Sequence, residues 1–82
     1  MHIGGIILVF TAFVLGVCQI GKEREVLEKC LGVKGVVEGT VVFGEYDIIV
    51  KIQTQDVKEL SKRVEEIRRI EGLLRSATLI SI

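Results

Sequence analysis

Shifted by about 37 positions, Val33-Lys34-Gly35-Val36-Val37-Glu38 falls on Ile70-Glu71-Gly72-Leu73-Leu74-Arg75: apolar, charged, glycine, apolar, apolar, charged. In a chain of 82 residues that period leaves room for two copies of one helix-to-strand unit and little else. The second copy is the clearer. Asp56 with Glu59 three positions on predicts a helix-start capping box, and Val57, Leu60, Val64, Ile67 and Ile70 follow at helical spacing. Gly72 ends the connection, and 73–82 reads as the last strand. In the first copy a helix over 21–31 carries Val26, Leu27, Cys30 and Leu31 on one stripe and Lys22, Glu23, Glu25, Glu28 and Lys29 elsewhere. Gly32 and Gly35 mark its end.

Between the copies, 36–43 and 46–54 read as paired strands. Gly44-Glu45 reads as a tight hairpin turn, with glycine where a positive φ is needed. Ile48, Val50 and Ile52 alternate with Ile49, Lys51 and Gln53, so one face of the returning strand belongs to the core. A first strand is still missing, and 12–19 supplies it, with Phe13, Leu15 and Val17 on one face and Ala12 and Val14 on the other. A strand apolar on both faces is central and covered on both sides.

The almost unbroken apolar stretch 3–20 approaches the roughly 20 residues of a membrane-spanning helix, which is the rival reading. Gly4, Gly5 and Gly16, β-branched residues, Phe10 and Phe13 favour strands. No basic region or cleavage motif points to a signal peptide. Residues 1–10 are expected to form an N-terminal extension, an extra strand or an arm free to pair with a neighbouring subunit's edge.

The plan is therefore βαββαβ. Right-handed crossovers put both helices on one face of an antiparallel four-stranded sheet, an α+β fold of ferredoxin-like type. The other face should meet water, yet one set of the first strand and Leu74, Ile80 and Ile82 of the last would make it apolar. A chain this short buries only roughly 60% of the surface its unfolded form exposes. With 49% hydrophobic residues, the economical cover is a second copy packed sheet to sheet, a homodimeric α+β barrel or sandwich.

Charge excludes some functions. Eleven basic and eleven acidic residues cancel, leaving no field to hold nucleic acid directly. Lys62, Arg63, Arg68, Arg69 and Arg75 interleave with Glu59, Glu65, Glu66 and Glu71, as on a solvated helix face with pairs such as Glu59–Arg63 and Glu65–Arg69. Cys18 and Cys30 lack zinc-site spacing and read as buried thiols of a reducing, cytoplasmic compartment. His2 is terminal, no nucleophile-base pair can be assembled, and no phosphate loop is present, so neither enzyme activity nor a metal or cofactor is expected.

One constellation remains: Val42-Phe43-Gly44-Glu45-Tyr46-Asp47-Ile48. Turn amides at Gly44 and Glu45 could hold an α-carboxylate, Asp47 could accept from an ammonium group, and Tyr46 could wall off a side chain. Equally, Gly44 could serve the turn, Tyr46 pack at the edge and Asp47 cap local amides.

That segment, with Ala12-Phe13-Val14-Leu15, Gly21-Lys22-Glu23 and Arg75-Ser76-Ala77-Thr78-Leu79-Ile80, resembles the regulatory ligand-binding (RAM) domain of the Lrp/AsnC family of transcription regulators over 11–82. The resemblance implies dimers joined through facing sheets, assembly into higher oligomers, and small effectors, commonly amino acids, bound between dimers. Gly44, Glu45, Tyr46 and Asp47 match the effector-site turn, and Ser76 and Thr78 match hydroxyl positions on the last strand. Family members normally carry a helix-turn-helix in front, so the chain looks like a stand-alone version, working as its own oligomer or mixed with full-length regulators. Ile20 where proline is usual, and Ala77 where a charge is common, depart from the pattern. The expected function is an amino-acid-responsive module acting through protein contacts. The alternatives are a purely structural oligomerisation subunit and a membrane-anchored protein.

Overall fold

The computed structural model describes residues 2–3, 6–7 and 9–81. In chain order the elements are β1 (His2–Ile3), β2 (Ile6–Ile7), β3 (Phe10–Cys18), α1 (Glu23–Leu31), β4 (Val36–Val41), β5 (Ile48–Thr54), α2 (Val57–Arg68) and β6 (Leu73–Ser81). The main sheet has the order β4-β5-β3-β6 with every neighbour antiparallel, and both helices pack on one face, which is the predicted ferredoxin-like arrangement. The membrane reading falls here. Residues 10–18 form the central strand, and no helix among the described residues is long and apolar enough to cross a membrane. β1 and β2 pair with each other, His2 opposite Ile7 and Ile3 opposite Ile6, as a ladder separate from the main sheet.

Alternation builds the core. Ala12, Val14 and Cys18 of β3 and Ile48, Val50 and Ile52 of β5 are buried beneath Val26 and Cys30 of α1 and Leu60 and Ile67 of α2. Burying a side chain of the size of Leu60 or Ile67 contributes roughly 1.5–3 kcal/mol, so these few contacts carry much of the fold. Gly16 is where β3 must lack a side chain. A Cβ there would stand 2.6 Å from Leu73 Cδ1 and 3.0 Å from Ile48 Cγ1. Two predicted stripe members face out. Leu31 lies roughly 140° around α1 from Val26 at the ordinary 100° per residue, and is exposed. Val57 opens α2, where the Cβ points back past the end of the sheet, and is exposed as well.

The α2 cap forms by half. Asp56 accepts the Glu59 N–H at 2.7 Å, but the Glu59 carboxylate turns to Arg63, whose Nε and Nη2 donate to it at 2.8 and 2.6 Å. Arg63 also pairs with Glu66. The expected Glu65–Arg69 pair is replaced by Glu65–Arg68 at 3.4 Å, because Arg69 is already the C-cap residue.

Two expectations about the strands need correction. The hairpin is not a two-residue turn: the ladder ends at Val41 opposite Ile48, and Val42 N–H donates to the Asp47 carbonyl at 2.8 Å, closing a loop over 43–46. Gly44 sits in it with φ +120°, the conformation expected of it. On β6 the outer set is Arg75, Ala77, Leu79 and Ser81, opposite Val17, Leu15, Phe13 and Thr11, whereas Ile80 lies opposite Ala12 on the helix side. A register irregularity between Val17 and Cys18 resets the alternation, so Leu73 tucks in opposite Cys18 and Leu74 is the extra residue between paired positions. Ile82 lies outside the described residues. The outer face is nevertheless apolar at its centre, where Phe13, Leu15, Val17, Ile49, Ala77 and Leu79 share it. Polar neighbours rim it: Thr11 accepts from Gln53 Nε2 at 3.3 Å, and Glu38 stands opposite Lys51.

Candidate functional site

At the end of the sheet where β3 finishes and β5 and β6 begin, Asp47 ties two strands together. Its N–H donates to the Gly16 carbonyl at 2.8 Å, and its Oδ2 accepts the Cys18 N–H at 2.8 Å. Sequence alone left Asp47 open between capping an amide and holding a ligand; the fold gives one of its oxygens to the amide. The same carboxylate acts on Cys18, whose thiol pKa is raised first by burial and then by the negative charges of Asp47 and Glu23. Burial, and then Cys18, push the Cys30 thiol up to about 11. Both thiols are free and protonated near neutrality, which makes them packing groups rather than nucleophiles.

The loop over 43–46 stands out from this anchor. The N–H groups of Gly44, Glu45 and Tyr46 make no hydrogen bond to any described residue, and nothing lies within 4 Å of the point where a Gly44 Cβ would be. Across from the loop, Ser76 is paired with Gly16 and Thr78 with Val14, both on the helix side of β6. An open cleft of about 350 Å³ is lined by Glu45, Tyr46, Arg75 and Ser76. The structure thus brings Glu45, Tyr46 and Ser76 to one cavity. Gly44 is in the loop but not in the lining, Asp47 is behind it, and Thr78 lies two residues further along β6. Arg75 is the lining residue that sequence reasoning placed only among helix-face charges. Its signal was its position next to Ser76 at the start of the last strand.

Three apolar side chains are exposed at the same end of the sheet: Phe43 fully, Ile20 to 95% and Leu74 to 66%. A second cleft of about 370 Å³ lies at the other end of β5, lined by Lys34, Gly35, Gln53, Thr54, Gln55, Asp56 and Glu59. Some of its polar groups are engaged: Thr54 Oγ1 donates to the Asp56 carbonyl at 2.7 Å, Asp56 caps α2 and Glu59 holds Arg63.

Residues 11–82 match the family described as the Lrp/AsnC ligand binding domain. The chain is 35% identical to the HTH-type transcriptional regulator FL11 of Pyrococcus furiosus over 69 residues, 84% of this chain and 46% of the regulator. It is 43% identical over 51 residues to the homocitrate synthase of Sulfurisphaera tokodaii, 62% of this chain but 10% of the enzyme. The chain spans less than half the length of the curated regulators it matches. The crystal structure of hypothetical protein PHS023 from Pyrococcus horikoshii is similar with a TM-score of 0.83 and 46% identity, covering 89% of both chains. The family match takes in all four strands of the main sheet but for its first residue, both helices, the loop and the cleft, and on that extent the chain belongs to the Lrp/AsnC ligand-binding domain family, whose members among its relatives are transcriptional regulators.

Proposed function

We propose that residues 11–82 are an amino-acid-responsive, oligomerising module that acts in transcription regulation through protein contacts, in the cytoplasm, with the residues ahead of Phe10, which itself opens β3, as an arm. The observation that carries this reading is the cleft that joins the 43–46 loop to the start of β6. Its unengaged amides suit a carboxylate, the Ser76 hydroxyl can donate or accept, and Tyr46 offers an aromatic wall. Gly44, Glu45, Tyr46, Asp47, Ser76 and Thr78 remain the proposed site, with Asp47 acting mainly by holding the loop.

An open cleft with four lining residues cannot enclose a ligand, whereas small-molecule sites commonly bury about 70–90% of theirs. A second chain must close it, and the exposed Phe43, Ile20 and Leu74 beside it offer that chain a landing surface. The apolar centre of the outer sheet face supports a different contact, a homodimer packed sheet to sheet. Dimers joined through the clefts would then form higher oligomers. A ligand that binds only the assembled state shifts the equilibrium toward it, by about 2.7 kcal/mol at a hundred times its dissociation constant. Full-length regulators carrying a similar segment are the natural mixed partners. Similarity to a tenth of a homocitrate synthase fits a ligand-binding role that can be separated from DNA binding.

Sizing by light scattering and melting in the presence of each coded L-amino acid tests the reading; it fails if no amino acid changes assembly or melting temperature. The bond from Cys18 N–H to Asp47 favours a second reading, a purely structural oligomerisation subunit, since it engages the carboxylate best placed for an ammonium group. That subunit would assemble identically with and without every amino acid.

A further inference from the structure

Along the outward sides of β3 and β5, from Thr11 to Val17 and from Ile49 to Gln53, Lys51 is the single charged residue. Phe13 stands beside it on β3 and Glu38 on β4. Glu38 reaches that place through an irregularity in β4. Val36 pairs with Ile52, but Glu38 and not Val37 pairs with Lys51, so Val37 is an extra residue. In an unbroken ladder Val37 would oppose Lys51, and Glu38 would oppose Val50 in the core. Gly39 opposes Val50 instead, where a Cβ would stand 2.8 Å from both Leu27 Cδ1 and Val50 Cγ1. The bulge and the glycine together turn a carboxylate outward, to the cross-strand position where a lysine faces it.

Among the described residues the two charges form no ion pair, and they flank a hollow of about 240 Å³ walled otherwise by Phe13, Gly39, Thr40 and Ile49. In the single chain Glu38 is exposed and Lys51 half-buried, and a pair open to water gains little by closing. Directly opposite side chains have Cβ atoms roughly 5 Å apart, so they meet without a large movement. Once the face is covered, the same attraction is several times stronger.

We propose that Glu38 is the counter-ion that lets Lys51 be covered by a second copy of this chain, the two closing into an ion pair inside the sheet-to-sheet contact and confining that contact to partners that leave the pair matched. The inference rests on the sheet-to-sheet reading of this face and deepens it. A wholly apolar face would accept any apolar surface, whereas one holding a matched pair penalises a partner that upsets the match. An apolar residue at position 51 would hold the second copy as well or better, so the pair serves choice of partner and not strength.

The test measures the dimer dissociation constant of the full chain by sedimentation equilibrium, with no ligand added. Glu38→Gln is expected to weaken the dimer about tenfold or more, because it leaves Lys51 covered and unmatched. Lys51→Met is expected to dimerise at least as tightly as the unaltered chain, and Glu38→Gln in that background should lose most of its effect. Glu38→Lys should neither self-associate nor join a tagged unaltered chain, while adding Lys51→Glu to it should restore self-association. Circular dichroism checks that each variant folds. Leu79→Asp, at an exposed position of the same face, locates the contact and should abolish the dimer. If Leu79→Asp abolishes the dimer but Glu38→Gln does not weaken it, the ion pair is wrong and the sheet-to-sheet reading stands. If the chain is monomeric at every concentration, or the dimer survives Leu79→Asp, both fall together.

Discussion

The two ends of β5 carry clefts of similar volume, about 370 Å³ beside Asp56 and about 350 Å³ beside Glu45, and differ in what stands beside them. At the Asp56 end, the Thr54 hydroxyl, the Asp56 carboxylate and the Glu59 N–H have paired among themselves and the Glu59 carboxylate holds Arg63, while Lys34 and Gln55 have no side-chain partner among the described residues. At the Glu45 end the loop amides, Glu45 and Arg75 have no partner among the described residues, and fully or largely exposed apolar side chains stand beside them. Volume does not distinguish the two; the largely exposed Phe43 and Ile20 at the Glu45 end do. One end closes a helix, and the other carries an open loop.

The largest expected effect comes from disturbing the foundation of the open end. Gly16→Val should cost about 2–3 kcal/mol by overpacking against Leu73 and Ile48. In a domain of this size that lowers the melting temperature by roughly 4–8 °C per kcal/mol. Leu73→Ala in the same chain should return part of the loss, and full additivity of the two changes would show that Leu73 is not the obstacle.

Next comes Asp47→Ala, which removes a charge-assisted bond to a backbone amide and should cost about 1.5–2 kcal/mol in urea unfolding. A ligand-only Asp47 would leave stability unchanged, so this substitution cannot by itself separate a sensor from an assembly subunit. Asp56→Ala at the other end should cost about 1 kcal/mol, the scale of a lost N-cap, while leaving any response to amino acids intact. A lost response there would erase the contrast between the ends.

Tyr46→Ala should hardly alter melting, because the loop hangs from the backbone bonds of Val42 and Asp47, yet it should diminish amino-acid-induced assembly. The smallest effect is alkaline. The Cys30 thiol is raised from its ordinary 9.0 to about 11, so between those values the unfolded chain loses a proton that the folded chain keeps. Stability is fully present below pH 9 and falls as pH rises through about 11, and Cys30→Ala should flatten that part of the profile.

Local chemistry made much of the fold legible. Asp56 before Leu60 and Ile67 at helical spacing defined α2, and the alternation of Ile48, Val50 and Ile52 defined the buried face of β5. The double-faced apolar pattern of β3 placed it at the centre of the sheet. The parity of β6 was hidden, since it depends on the register irregularity opposite Val17 and Cys18, a pairing between strands far apart in the chain. The same holds for the loop: Gly44 announced a reversal, but its length followed from Val42 meeting Asp47.

The sequence by itself determined the βαββαβ order, most of the core residues and the apolar centre of the outer sheet face, because all three follow from periodicity and burial. Only the tertiary structure decided that Asp47 holds β3, that Thr78 stands away from the cleft, and that Arg75 faces it beside Glu45, Tyr46 and Ser76. Those outcomes depend on which residues of two distant strands come to lie side by side. A hydrogen bond or a cavity belongs to such a pairing and to neither residue alone.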